Sequence, residues 1–151
     1  MKRTTARETV FKMLFQSEFY PQDEVAPVYD RYVADYPDGA AEEEDPVDEA
    51  APEELAAVRE RAEAVLARRA EIDAILSEAM EGWKLGRLGT VERNILRLAV
   101  YEIKFDDEVP VRVAANEAVE LARKFGGEES PGFVNGVLGR VIRKDETIDA
   151  G

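Results

Sequence analysis

The chain has 151 residues, no cysteine, no histidine and a formal net charge of −13. That length suffices for one domain with a proper core. The missing residue types exclude disulfides, thiolate metal sites, thiol nucleophiles, histidine-based triads and most catalytic zinc centres, and they fit a reducing cytoplasm; carboxylate-only or Mg²⁺ chemistry stays open.

The opening residues, MKRTTARETVF, lack the apolar stretch of a signal peptide, and no run approaches ~20 apolar residues, so a soluble, cytoplasmic protein with no membrane association is expected. Thr5-Ala6-Arg7-Glu8 reads as a capping box, in which hydroxyl and carboxylate satisfy opposite orphan amides. It opens a helix with Val10, Phe11, Leu14 and Phe15 on its apolar side, ending near Tyr20-Pro21. A shorter helix from about Glu24 carries Val25, Val28, Tyr29, Tyr32, Val33 and Tyr36. Residues 21–56 then hold thirteen acids and one base, whereas 1–20 are net +2 and 82–104 net +3. The acidity therefore belongs to one segment, and about 37–51, rich in acids and breakers, reads as a mobile loop that aids solubility.

Beyond it, Leu55, Val58, Ala62, Val65, Arg69, Ile72, Leu76, Ala79 and Trp83 keep an alternating three–four spacing, which predicts one long helix from Pro52 to about Gly82. Arg69 is the seam's one polar member. Thr90 is positioned to cap a helix with Ile95, Leu98, Ala99 and Ile103. Pro110 suits the first turn of the next, where its missing N–H costs nothing, and that helix ends at Lys124-Phe125-Gly126 with the glycine placed for a left-handed C′ residue. Ser130-Pro131 reads as N-cap plus first residue of the last helix, which buries Phe133, Val134, Val137, Leu138 and Val141. Gly132, Gly136 and Gly139 suggest a close helix crossing.

No segment alternates with period two, so the class is all-α with no sheet. Short connections predict six to seven helices as two packed three-helix bundles, about 4–82 and about 89–144, in one domain over residues 1–151.

Little here carries chemistry. Gly86-Arg87-Leu88-Gly89 matches a KH-type GXXG loop but lacks the strands that fold needs, and Asp106-Asp107-Glu108 reads as a solvated turn. Trp83 lies on the apolar seam, and no phosphate-cradling loop is present. The reading is of a protein that is not an enzyme and has no cofactor or metal. Lys2, Arg3, Arg7 and Lys12 cluster at the N-terminus, with Phe11, Phe15 and Phe19 following at one-turn spacing. Cations beside rings suit single-stranded RNA, although taken alone such a cluster also serves as a solvated end and such a stripe as core.

The motifs themselves are more specific. Ala6-Arg7-Glu8 with Leu14 and Gln16, then Leu88-Gly89 with Val91-Glu92-Arg93, Ile95-Leu96-Arg97-Leu98-Ala99 and Tyr101-Glu102, begin the pattern. Val109-Pro110, Val113-Ala114, Asn116-Glu117-Ala118, Leu121-Ala122-Arg123, Phe125-Gly126 and Phe133-Val134-Asn135-Gly136-Val137-Leu138 complete it. In these the chain resembles the NusB family of bacterial transcription antitermination factors over nearly its whole length, with 36–52 the least family-like part.

The resemblance implies a non-enzymatic RNA-binding protein of two three-helix bundles, paired with the ribosomal protein NusE. It would bind single-stranded boxA RNA of ribosomal RNA leader transcripts within an antitermination complex with RNA polymerase. By position, Lys2, Arg3, Arg7 and Phe15 correspond to RNA-binding residues of the first helix. The loop Gly126–Ser130 and Phe133 correspond to a second RNA contact, and Glu92 to the NusE-binding face. The amides of Gly132 and Phe133 offer a phosphate site, while Glu128 and Glu129 beside them oppose one. Phe133 equally suits a core anchor. Two alternatives stand beside this reading: a protein-interaction adaptor without RNA binding, and the RNA-binding domain of a ribosomal RNA methyltransferase.

Overall fold

The computed structural model describes residues 2–35, 52–80 and 84–150, with side chains over 2–31, 53–80 and 84–144. Both the acidic loop expected at 37–51 and Trp83 lie outside these residues. Among the described residues there are seven α-helices and no strand: α1 (Arg3–Ser17), α2 (Ala26–Asp35), α3 (Pro52–Ala67), α4 (Arg69–Ala79), α5 (Thr90–Phe105), α6 (Val111–Phe125) and α7 (Ser130–Ala150). Short 3₁₀ turns stand at Pro21–Asp23 and Leu85–Arg87.

The chain divides into two compact units, Met1–Ala67 and Arg68–Gly151. In the first, α1 packs on α3 and α2. Its core is Val10, Phe11, Met13, Leu14, Val25, Val28, Val58, Ala62 and Val65. Two buried hydroxyls on α1 are satisfied by the helix itself: Thr9 donates to the Thr5 carbonyl (2.8 Å) and Ser17 to that of Leu14 (2.7 Å). The expected capping box is absent, because the helix begins earlier. Lys2 is the N-cap residue and its carbonyl accepts the Ala6 amide at 2.9 Å, so Thr5 already lies inside the first turn.

The single long helix expected from Pro52 to Gly82 is instead two. Arg68, at φ −106° and ψ 15°, interrupts it. One non-helical residue barely disturbs the apolar spacing, which is why the pattern runs through the break. The polar Arg69 marked the place. Arg68 stays useful in its kinked position, its guanidinium 4.4 Å from the centre of the Phe105 ring and 3.5 Å from Glu71. The unit boundary thus falls at 67/68, and α4 joins the later helices, where the sequence had grouped residues up to about 82 with the earlier ones.

The second unit is accordingly a four-helix assembly in which α5 touches α4, α6 and α7. Every residue from Asn94 to Val100 is buried, so α5 is nearly surrounded. Its one deeply placed cation, Arg97, forms a two-pronged pair with Asp73 of α4, Nε to Oδ1 at 2.8 Å and Nη2 to Oδ2 at 2.9 Å. Such fork-to-fork pairing is what a buried guanidinium needs to offset desolvation. From α7, Arg140 donates to the Ala79 carbonyl (3.0 Å) at the C-terminal end of α4, and Lys144 pairs with Glu78 at 2.7 Å. Cations at a helix C-terminus meet both orphan carbonyls and the negative dipole end.

Helix starts differ by one residue from the sequence reading. Gly89, not Thr90, precedes α5; Pro110 is the N-cap of α6 rather than a residue within its first turn; and α7 begins at Ser130 itself. The close crossing expected from the α7 glycines is not formed. A Cβ on Gly132 would meet nothing within 4 Å, and on Gly136 and Gly139 only arginine side chains of the same helix. The small buried residues at the helix contacts are alanines, Ala99 of α5 and Ala114, Ala118 and Ala122 of α6.

Candidate nucleic-acid interface

Four of the expected site residues, Lys2, Arg3, Arg7 and Phe15, lie on α1 of the first unit. Lys2 and Arg3 are exposed, and Arg7 and Phe15 half-buried. The first turn of α1 holds no acid, and no side chain caps it. Its positive dipole end therefore adds to the two cations rather than being neutralised by a neighbour.

A spacing of four residues advances a helix about 400°, roughly 40° past a full turn. The series Arg3, Arg7, Phe11, Phe15 therefore winds around α1 instead of holding one face, and Phe19 follows just beyond the end of the helix. Burial follows that winding: Arg3 is exposed, Arg7 half-buried, Phe11 3% exposed, Phe15 half-buried and Phe19 71% exposed. Phe11 is core, contrary to an RNA role, while the cations and the outer rings flank opposite edges of the buried stripe. The rings form a ladder, with centroids 6.3 Å apart from Phe11 to Phe15 and 5.6 Å from Phe15 to Phe19. Lys12, the fourth cation of the cluster, pairs with Glu8 at 3.3 Å.

The other expected residues, Glu92, Gly126, Ser130 and Phe133, lie in the second unit. Three of them are brought together. The Ser130 hydroxyl donates to Glu92 Oε1 at 2.5 Å and accepts the Gly127 amide at 3.0 Å, so one oxygen ties α5 to the loop between α6 and α7. Ser130 is only 6% exposed. Gly126 ends α6 at φ −94° and ψ −179°, extended rather than left-handed. Glycine is needed there for space: a Cβ would fall 2.5 Å from both Cβ and Oγ of Ser130 and 2.8 Å from the Ala122 carbonyl oxygen.

Two details alter the phosphate site expected at the start of α7. The Phe133 amide already donates to the Glu129 carbonyl at 3.1 Å, because the helix begins at Ser130, and Ser130 N–H donates to the Gly127 carbonyl at 3.0 Å. What remains outward is the loop backbone around the exposed Gly127, with Glu128 and Glu129 also exposed. Phe133, one turn into α7, is half-buried, between the two roles its position allowed.

Phe19 is the exposed aromatic that sequence reasoning passed over as a site residue. Its signal was its place, after the last buried position of α1 (Ser17) and directly before Tyr20-Pro21. Among the described residues no group of three or more carboxylates is arranged to hold a metal ion, and no helix is long and apolar enough to cross a membrane.

The NusB family model matches residues 4–143. The transcription antitermination protein NusB of Lachnoclostridium phytofermentans is 44% identical over 142 residues, covering 94% of this chain and 99% of that one. Among solved structures, T. maritima NusB superimposes with a TM-score of 0.79 at 31% identity, over 95% of this chain and 92% of that one. A crystal structure of antitermination factors NusB and NusE in complex with dsRNA gives a TM-score of 0.73 at 24% identity, over 94% of this chain and 96% of that one, a likeness of fold alone.

Proposed function

The chain belongs to the NusB family, a family of transcription antitermination factors and not of enzymes, and on that premise we propose that it binds boxA RNA of ribosomal RNA leader transcripts together with NusE. In this reading it works in the cytoplasm within an antitermination complex with RNA polymerase, keeping transcription processive. The observation that carries the proposal is likeness along almost the whole chain to proteins named for antitermination, at 44% identity in one of them. A relative of the same fold has been crystallised with NusE and dsRNA, which supports RNA and NusE as the partners to test.

The chemistry of each unit suits the proposal in its own way. On α1, Lys2 and Arg3 stand exposed at an uncapped, acid-free helix start, where phosphate is attracted by charge and by dipole together. Phe15 presents part of a ring for stacking. In the second unit, Gly126 and Ser130 act by shaping the loop rather than by touching RNA with their own polar atoms, since the Ser130 hydroxyl is engaged on both sides. Phe133 stands next to that loop as a second partly open ring. Glu92, held by Ser130, belongs to the face proposed for NusE.

A fluorescence titration tests this, using single-stranded boxA RNA and its duplex, each with and without NusE. Binding to the single strand that tightens when NusE is present is expected, and Arg7→Ala should reduce the slope of log K against log salt by about 1. Absence of binding in every arm would leave the protein-only adaptor in its place.

A further inference from the structure

We propose that Glu92 is a positioning residue for the loop Gly126–Ser130, acting on RNA through Ser130 as well as standing on the partner face; the inference rests on the reading of that loop as an RNA contact. Glu92 is half-buried and is the third residue of α5. A carboxylate at that place ordinarily turns back to the start of its own helix. Here the two oxygens are placed differently. Oε2 lies over Gly89, 2.7 Å from where a Cβ on that residue would stand. Oε1 reaches out of the helix and accepts the Ser130 hydroxyl at 2.5 Å. Gly89 has φ −62° and ψ 152°, a conformation open to any residue, so what its missing side chain supplies is room for the carboxylate.

The bond to Glu92 is the first link of a chain that ends in exposed backbone. Ser130 gives its proton to Glu92, accepts the Gly127 amide at 3.0 Å, and donates its own amide to the Gly127 carbonyl at 3.0 Å. One residue thus grips Gly127 at both its N–H and its C=O. A hydroxyl has a single proton, so the acceptor it points at decides where its lone pairs face. Glu92 fixes that choice and keeps the lone pairs toward the Gly127 amide. Packing does little at this point, since a Cβ on Gly127 would meet nothing within 4 Å. Gly127, Glu128 and Glu129 are all exposed, so hydrogen bonds set the path of the stretch. Charge and positioning then predict opposite signs. A carboxylate acting by charge alone would weaken the binding of a phosphate chain, whereas one that holds the loop strengthens it.

The test uses the full chain without NusE, following single-stranded boxA RNA by fluorescence anisotropy and the Gly127 amide by hydrogen exchange. Glu92→Ala is expected to speed Gly127 exchange and to weaken RNA binding, each about three- to tenfold, the effect of one lost hydrogen bond. Glu92→Gln keeps an oxygen acceptor and should restore most of both. Gly89→Ala keeps the charge but displaces the carboxylate, and should act in the same direction as Glu92→Ala. Adding Ser130→Ala to Glu92→Ala should bring little further loss, because both break the same chain. Amides of the buried stretch Asn94 to Val100 should exchange as in wild type. Unchanged Gly127 exchange in Glu92→Ala overturns the proposal, as does a rise that only matches one across Asn94 to Val100. So does RNA held as tightly as by wild type or more so, the result for a partner contact or a repelling charge. Wild type that binds no RNA defeats the boxA reading instead, and Gly127 exchange still decides whether Glu92 holds the loop.

Discussion

The start of α1 and the loop before α7, the two regions proposed for RNA, are built in different ways. At the start of α1, Lys2 and Arg3 are exposed and their removal leaves the core of Phe11, Met13 and Leu14 in place. Around Gly126 and Ser130, the corresponding residues are what hold the loop, and the single proton of the Ser130 hydroxyl is already given to Glu92. The residues proposed for recognition are separable from those that stabilise the fold in the first region and are the same residues in the second.

Substitutions can break or sharpen that contrast. The largest effect is expected from Gly126→Ala, whose methyl group would sit 2.5 Å from Ser130 and 2.8 Å from the Ala122 carbonyl. Overpacking of this kind costs about 1–3 kcal/mol, so chemical denaturation should register it; a stability equal to wild type would mean the loop has slack the structure does not show. Ser130→Ala follows. It removes the donor to Glu92 and the acceptor of the Gly127 amide at once, for a loss of about 1–2 kcal/mol, with Gly127 amide exchange rising in step. Lys2→Ala with Arg3→Ala should change the melting temperature little, within about 0.5 kcal/mol, while lowering RNA affinity across related sequences. A large loss of stability there would erase the contrast between the regions.

The smallest effect concerns Glu78 and Lys144. The hydrogen bond and charge of Lys144 hold the Glu78 carboxyl below its ordinary value. Its folded-state value is the lowered one, so its contribution to stability is complete above the usual carboxylate range, near 4.3, and is lost as pH falls through the folded value. The melting difference between wild type and Lys144→Ala should therefore shrink with acidification. A difference that grows in acid would contradict the assignment.

The comparison also sorts what the sequence made legible. Strong amphipathic runs gave α5 and α6 their identity, because apolar residues at helical spacing admit few other packings. Helix starts were read one residue off, since Thr90 and Ser130 are cap-forming types that here stand just inside their helices. The interruption at Arg68 was hidden because spacing records which residues are apolar, not the dihedral angles between them. Arg3 and Arg7 were legible as a charge cluster, and the structure adds that their stripe winds through the core before Phe19 emerges. The Glu92–Ser130 bond joins residues 38 positions apart, a distance over which no local pattern speaks.

That bond sets the rules for evolutionary drift at position 130. At most helix starts serine, aspartate and asparagine replace one another readily. Here the oxygen must give a proton to one neighbour and take one from another within a space closed by Gly126. Aspartate would set a second negative charge against Glu92, and asparagine would need two separate atoms, an amide nitrogen and an oxygen, where serine uses one. An ordinarily permissive site has become one where a single hydroxyl is the admissible spelling.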